Sequence, residues 1–318
     1  MRKCLVTGGA GFIGSHLVEA LVAEGHQVRV LDDFSTGKRE NLHAVAGRVE
    51  VVTGSVTDPQ AVRSAAAGAE WVFHLAALAS VQKSVEDPLA SHEVCATGTL
   101  HVLNAARAAG ARRVVYAGSS SAYGPLSEGR RTEDDPVLPL SPYAAAKLAG
   151  EHYCRSFTTV YGLETVRLRF FNIFGPRQDA SSPYSGVIAI FIAALTAGRT
   201  PTVHGDGLQS RDFTYVADAV QALRRAAEAP AAVGHVYNIG LGRQTTVLDL
   251  VHHLNRLLGT QVQPTHGPAR AGDVRHSVAD ITRAQRDLGY APAVTFEEGL
   301  RRTLEAYQSA QVSSPGRG

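Results

Sequence analysis

The 318-residue chain reads as an α/β protein: a doubly wound parallel sheet with a second, smaller mixed α/β lobe. Three observations carry that reading. Short apolar runs without polar alternation recur from residue 4 to residue 170, the pattern of strands buried on both faces. Segments of helical periodicity separate them, so right-handed crossovers return each strand beside its neighbours. After Phe171 the rhythm changes, with Pro, Gly and Ser crowding residues 175–186 and 198–207.

The elements follow in order. The first apolar run, residues 4–7, stops at glycines, and a helix is expected over 12–23. A second run over 27–31 ends in Asp32-Asp33, and further strands are expected over 49–52, 71–75, 113–117 and 165–170. Helices are expected at 61–67, 88–109 and 141–160, and one more strand at 235–239. The chain therefore divides into a sheet domain, residues 1–171 and 212–240, and an interleaved lobe, residues 172–211 and 241–312. The tail at 313–318 reads as frayed.

Composition excludes several functions. Lys plus Arg is 31 and Asp plus Glu is 29, so the formal charge is +2, too small and too scattered for a nucleic-acid binder. With 44% hydrophobic and 19% charged residues the chain is an ordinary ordered globule. Cys4, Cys95 and Cys154 are odd in number and far apart, which fits free thiols in a reducing cytoplasm. No apolar run reaches the ~20 residues of a membrane span, and too little precedes the first strand for a signal peptide. Thirteen scattered histidines without an HExxH pattern give no metal site: His252-His253 read as solvated, and His74 as a buried side chain bonded to backbone. Only four basic residues are lysine (Lys3, Lys38, Lys83 and Lys147), which draws attention to each.

The stretch Thr7-Gly-Gly-Ala-Gly-Phe-Ile-Gly14 joins the first strand to the first helix. It satisfies GxxGxxG through Gly8, Gly11 and Gly14, and GxGxxG through Gly9, Gly11 and Gly14. Such glycines permit a tight turn and let backbone N–H groups approach a pyrophosphate at the positive end of a helix. Asp32 falls 18 residues after Gly14, at the tip of the second strand. A carboxylate there accepts hydrogen bonds from an adenosine ribose and repels a 2′-phosphate, and Asp33 adds to the repulsion. The sheet domain is therefore read as a Rossmann domain that binds NAD rather than NADP.

Tyr143-Ala-Ala-Ala-Lys147 lies early in the 141–160 helix, and i, i+4 spacing puts both side chains on one face. A tyrosine titrates near ~10. A neighbouring ammonium and a cationic nicotinamide both favour phenolate, which makes a general base near neutral pH. Ser119-Ser-Ser121 follows the fifth strand at the carboxyl edge, where open α/β sheets bind ligands. A hydroxyl at that edge can bond the reacting oxygen. Ser, Tyr and Lys beside a dinucleotide fold describe hydride transfer between alcohol and ketone.

With these motifs the sequence resembles the extended short-chain dehydrogenase/reductases, specifically the nucleotide-sugar 4-epimerases that act on UDP-glucose or UDP-N-acetylglucosamine. Further matching stretches are His74-Leu-Ala-Ala77, Arg169-Phe-Phe-Asn-Ile-Phe-Gly-Pro-Arg177, Ser182-Pro-Tyr-Ser185, Gly205-Asp-Gly-Leu-Gln-Ser-Arg-Asp212 and Ala271-Gly-Asp-Val-Arg-His-Ser277. The resemblance implies that Ser119, Tyr143 and Lys147 are catalytic. It implies cofactor contacts from Gly8, Gly11, Phe12, Ile13, Gly14, Asp32, Ser55, Val56, Leu75, Ala76, Ala77, Lys83, Tyr143, Lys147 and Phe170. It implies substrate contacts from Ser120, Ser121, Asn172, Val187, Arg211, Arg270, Asp273 and Ser277, with both arginines on the diphosphate, where a planar fork suits a phosphate group. It also implies a UDP-sugar substrate and a homodimer built on the 88–109 and 141–160 helices. Two positions depart from the family pattern. Ser55 stands where an Asp usually contacts adenine, and Cys95 where an Asn is usual near the nicotinamide.

The expected reaction is inversion at C4 through a transient 4-keto sugar. Related dehydratases carry an Asp-Glu pair after the catalytic hydroxyl, and related decarboxylases a Glu in the same turn. Ser120 and Ser121 stand there in this chain and cannot do carboxylate chemistry. A C4 reductase fits less well, because Asp32 and Asp33 disfavour NADPH. In the epimerases that the chain resembles, the residue four beyond the Asp of the Gly-Asp pair lines the sugar pocket; here that position is Ser277, a small side chain that would leave space for a 2-acetamido group. UDP-N-acetylglucosamine/UDP-N-acetylgalactosamine is the expected pair, with UDP-glucose/UDP-galactose also accepted and UDP-glucuronate as the alternative. A non-catalytic NAD-binding sensor is the reading from another class, since fold does not fix function.

Overall fold

The computed structural model describes residues 1–125, 129–179, 186–269 and 274–312. Its strands are β1 (Lys3–Thr7), β2 (Gln27–Asp32), β3 (Val49–Thr53), β4 (Trp71–His74), β5 (Arg113–Ser119) and β6 (Glu164–Phe170), then the short β7 (Ile173–Phe174), β8 (Thr202–His204), β9 (Ser210–Arg211), β10 (Thr214–Tyr215), β11 (Val236–Ile239), β12 (Thr245–Thr246), β13 (Thr265–Gly267) and β14 (His276–Ser277). The helices are α1 (Phe12–Ala23), α2 (Pro59–Ala66), α3 (Val81–Glu86), α4 (Pro88–His92), α5 (Gly98–Ala108), α6 (Pro142–Tyr161), α7 (Val187–Thr196), α8 (Val216–Glu228), α9 (Val247–Leu258), α10 (Thr282–Leu288) and α11 (Phe296–Val312).

Seven parallel strands form the central sheet in the order β3-β2-β1-β4-β5-β6-β11. The order reverses between β1 and β4, which opens a crevice at the carboxyl ends of those strands. Successive residues of a strand serve opposite faces, as Val6 and Leu5 show. Val6 joins Leu17, Val18 and Leu21 of α1 and Leu223 of α8 on one face. Leu5 joins Val62 of α2, Leu103 of α5 and Phe157 of α6 on the other. A third cluster gathers Phe174, Ile188, Ile192, Leu250, Leu254 and Leu300 from elements after β6. Helices thus cover both sheet faces, as the non-alternating strands require.

Two differences from the sequence expectation concern helices. The single helix expected over 88–109 is interrupted by a π-turn over Glu93–Thr97, between α4 and α5. A run of apolar residues does not distinguish 3.6 residues per turn from a locally wider turn, and π-turns cluster at functional sites. The short α3 has no strong apolar period of its own, but Ser80 caps it by accepting from the Lys83 N–H at 3.1 Å.

Candidate active site

Helix α6 is set by its ends. Ser141 accepts from the Ala144 N–H at 3.2 Å, Pro142 opens the first turn, and Gly162 closes the helix in a left-handed conformation. This holds Tyr143 in the first turn, beside the carboxyl end of β5, where Ser119 is the last residue. The Ser119 side chain is within hydrogen-bonding reach of the Tyr143 phenol. Its Oγ also lies 2.8 Å from Ser121 Oγ and accepts from the Ser121 N–H at 3.2 Å. Lys147, one turn below Tyr143, is only 3% exposed. Its Nζ lies 4.8 Å from the centre of the Tyr116 ring, whose hydroxyl donates to the Lys147 carbonyl at 3.0 Å.

Burial dominates the electrostatics of Tyr143 and Lys147 in the chain without its dinucleotide. The Tyr143 phenol is pushed up, not down: burial dominates, Cys95 adds to it, and the Ser119 hydrogen bond opposes both. Lys147 is not among the groups that shift it. Burial likewise lowers the Lys147 ammonium, against Cys95, Glu151 and Cys154.

The glycine loop has the shape its motif demands. Gly8 takes φ +69°, and a Cβ there would lie 2.7 Å from the Ala76 nitrogen. A Cβ at Gly14 would run into the Gly8 carbonyl oxygen. Asp32 ends β2 and is buried, accepting from Ala10 N–H and Phe34 N–H at 2.9 Å each. Burial is the leading cause that raises its carboxyl. A carboxylate has about four lone-pair positions, so these two bonds leave room for a diol. Asp33 is engaged by the backbone and hydroxyl of Ser35. Phe12 and Ile13 open α1 and Phe170 ends β6. Leu75, Ala76 and Ala77 follow β4, with Leu75 N–H and Ala76 N–H donating to the backbone oxygen and hydroxyl of Thr7. Lys83 lies on α3, and Phe170 packs against the core cluster beneath α1 and α8. Gly8 and Gly14 thus let the loop pack closely on Ala76 and on itself, the tight turn that a dinucleotide-binding loop requires, so the chain fits a dinucleotide.

His74 differs from its sequence reading. It bonds side chains, not backbone: Nδ1 lies 2.7 Å from Thr7 Oγ1 and Nε2 3.0 Å from Thr99 Oγ1. The Thr99 hydroxyl donates to the Cys95 carbonyl at 2.7 Å, so it accepts from Nε2–H, and Nδ1 accepts from Thr7. Burial, then the Lys147 charge, lowers the imidazole to about 3, so it stays neutral. Cys95, in the π-turn, packs against Tyr143 and Ala146. Ser55 spends its hydroxyl on Thr57, accepting from the Thr57 N–H and hydroxyl at 3.3 and 3.0 Å, and the neighbouring Val56 is buried in the core.

On the substrate side, Ser120 and Ser121 form the turn after β5, and Asn172 follows β6 with its carbonyl accepting from Thr214 N–H at 3.1 Å. Val187 begins α7. Arg211 and Ser277, far apart in sequence, are register partners in the parallel β9/β14 pair. Arg270, Asp273 and the 182–185 stretch lie outside the described residues, as does the 313–318 tail. Among the described residues no group of three or more His, Cys, Asp or Glu could hold a metal, and no helix is long and apolar enough to cross a membrane. Sequence reasoning missed Tyr116, Glu151 and Arg169 around Lys147. The signal available was Glu151, one further turn along the Tyr143–Lys147 face.

A doubly wound sheet with a glycine loop at the switch point and Ser, Tyr and Lys at the carboxyl edge defines a dinucleotide-dependent enzyme of alcohols and ketones. Residues 4–240 match the NAD dependent epimerase/dehydratase family. The chain is 42% identical over 311 residues to a UDP-glucose 4-epimerase of Mycolicibacterium smegmatis, covering 96% of this chain and 99% of that one. It is 32% identical to a UDP-N-acetyl-alpha-D-glucosaminuronate decarboxylase of Bacillus cytotoxicus, covering 98% and 99%. A solved UDP-N-acetylglucosamine 4-epimerase from Methanobrevibacter ruminantium, in complex with UDP-N-acetylmuramic acid, superposes with a TM-score of 0.93 at 37% identity, covering 97% and 99%. The chain belongs to the NAD dependent epimerase/dehydratase family, among its extended short-chain dehydrogenase/reductase nucleotide-sugar epimerases. It is an enzyme of the isomerase class with NAD as its cofactor.

Proposed function

We propose that this enzyme inverts C4 of a UDP-hexose, with UDP-N-acetylglucosamine/UDP-N-acetylgalactosamine and UDP-glucose/UDP-galactose as its substrate pairs. The observation that carries this reading is the constellation of Ser119, Tyr143 and Lys147, with serines rather than carboxylates at 120 and 121. The relatives include a decarboxylase as well as epimerases, and the chemistry of that turn supports epimerisation. Elimination and decarboxylation need an acid or base that Ser120 and Ser121 cannot supply.

NAD, when bound, supplies the reversible two-electron redox chemistry at C4. Gly8, Gly11 and Gly14 would admit its pyrophosphate and Asp32 would bond its ribose. Tyr143 takes the proton of the 4-hydroxyl and later returns it, while Ser119 bonds the same oxygen. Lys147 supports the phenolate. Arg211, with Arg270 and Asn172, holds the diphosphate, so the 4-keto sugar can turn over about that anchor and present its other face. Residues 172–211 and 241–312 form the nucleotide-sugar lobe in this reading, and Ser277 beside Arg211 leaves the sugar pocket open for an acetamido group.

We also propose a cytoplasmic homodimer. The three cysteines are free and buried, as a reducing compartment permits. Val81 and Val85 on α3, Leu89 on α4 and Tyr153 and Tyr161 on α6 are exposed apolar side chains on neighbouring helices. The test of the substrate claim is Ser277→Tyr. It should abolish turnover of UDP-N-acetylglucosamine and keep that of UDP-glucose within a few fold; unchanged turnover of the acetylated sugar removes the pocket argument.

A further inference from the structure

We propose that Glu151, clamped by Arg169, is a positioning residue that fixes the Lys147 ammonium under the catalytic tyrosine. The inference rests on the reading of Tyr143 and Lys147 as the catalytic pair. Tyr143, Lys147 and Glu151 lie at i, i+4 and i+8 on α6, three successive turns of one face. Glu151 is 3% exposed, and both of its oxygens accept from Arg169 Nε at 3.1 Å, with Oε2 also taking Nη2 at 2.8 Å. Arg169 is buried on β6, and its guanidinium lies 4.6 Å from the centre of the Tyr123 ring. The carboxylate cannot swing away.

Two glycines admit this arrangement. At Gly118, next to Ser119, a Cβ would lie 2.9 Å from Glu151 Oε1 and 3.0 Å from the Leu168 carbonyl oxygen. The carboxylate therefore sits against the strand end that carries the catalytic hydroxyl. At Gly150 a Cβ would collide with the Tyr116 hydroxyl, which bonds the Lys147 carbonyl. Lys147 is held by its backbone, by the Tyr116 ring and by the charge of Glu151.

A buried ammonium without a counter-charge gives up its proton. The titratable groups facing Lys147 are Tyr143, Glu151 and Cys154 from α6, Tyr116 from β5, Cys95 from the π-turn and His74 from β4. Burial keeps Tyr116 and Cys154 protonated and His74 neutral. Glu151 is the carboxylate in this set. Arg169 orients it, and Arg167 of β6 is a second cation that acts on it. Removing the carboxylate favours loss of the Lys147 proton, and with it the support of the Tyr143 phenolate.

The test is the pH profile of UDP-glucose epimerisation by NAD-loaded Glu151→Gln. The alkaline limb of kcat should move down by one pH unit or more, with KM for UDP-glucose changed less than twofold. A folded, NAD-loaded variant with the wild-type profile overturns the proposal, whatever its absolute rate. If Glu151→Gln fails to fold because Arg169 is left unpaired, the double variant Glu151→Gln/Arg169→Met removes both charges. It should show the same shift; a wild-type profile there reduces the pair to a structural role and overturns the proposal. Lys147→Met separates the two claims: wild-type turnover in that variant defeats the catalytic reading itself.

Discussion

Tyr143 carries the chemistry of this reading, and its surroundings set a sharp test. The phenol is raised by burial and bonded by Ser119, so the only group it would lose in Tyr143→Phe is the hydroxyl that moves the proton. That variant should lose at least ~100-fold in kcat, the lower end of what general acid–base catalysis contributes, and retain its NAD. Stopped-flow turnover and the absorbance of the extracted cofactor check both halves. That Tyr143 and Lys147 share one helix face, near Ser119 at the end of β5, was legible in the sequence because i, i+4 spacing and a strand end fix it. Glu151 was not, because a glutamate on a helix usually reads as a solvated surface charge. Only the packing of β5 and β6 against α6 shows that its face is internal. His74 was misassigned for a related reason: its partners, Thr7 and Thr99, come from a different strand and a different helix. Its depressed imidazole makes a pH prediction. A group lowered on folding stabilises the fold above its unfolded value, near ~6.5, and loses that contribution as pH falls toward 3. Stability should therefore decline on acidification below about pH 6.5, with a limiting slope of about 1.4 kcal/mol per pH unit from this residue. Asp212 works in the opposite sense. Burial pushes its carboxyl up to about 6, against the N–H groups of Leu241, Gly242 and Ala279, so its contribution falls as pH rises through that value. Denaturant unfolding of His74→Gln should show a flatter acid limb than wild type.

At the scale of elements, the β1–loop–α1 unit is the most constrained segment. The Gly8 carbonyl occupies the space a Gly14 side chain would need. Gly14→Ala should yield protein that purifies without NAD, read by the absorbance of heat-released cofactor; full occupancy would show that the loop can relax. The long central strands and α1 and α6 announce themselves by apolar run, glycine stop and cap. The strand ends were legible to within a residue or two, since only hydrogen bonding decides them. The π-turn at Glu93–Thr97 was not legible, because it changes the winding and not the apolar content. The two-residue strands β7, β9, β10, β12 and β14 were not legible either, since two residues carry no period. Yet the β9/β14 pair is what brings Arg211 and Ser277 together. The substrate side of the proposed site thus rests on pieces whose sequence signal is weakest.

In the proposed reading the dinucleotide lies at the switch point of the sheet, where β1 and β4 part, and Ser119 ends the next strand, β5. Fold class and cofactor were legible because non-alternating strands, crossover helices and the glycine loop agree with one another. The sugar was less legible, because a small residue at 277 permits a larger substrate without requiring one. The exposed apolar side chains of α3, α4 and α6 make a prediction at this scale. Leu89 is 81% exposed and Val85 65%, so Leu89→Asp should convert a dimer to a monomer in sedimentation velocity without unfolding it. A wild-type monomer would contradict the assembly. The central claim is C4 inversion itself. Proton NMR of the anomeric signals, with UDP-N-acetylglucosamine and UDP-glucose incubated separately with the NAD-loaded enzyme, tests it most directly. A galacto-configured product from each, with no net accumulation of NADH, is the expected result. A 4-keto-6-deoxy product, or no turnover of either sugar by NAD-loaded protein, would contradict it.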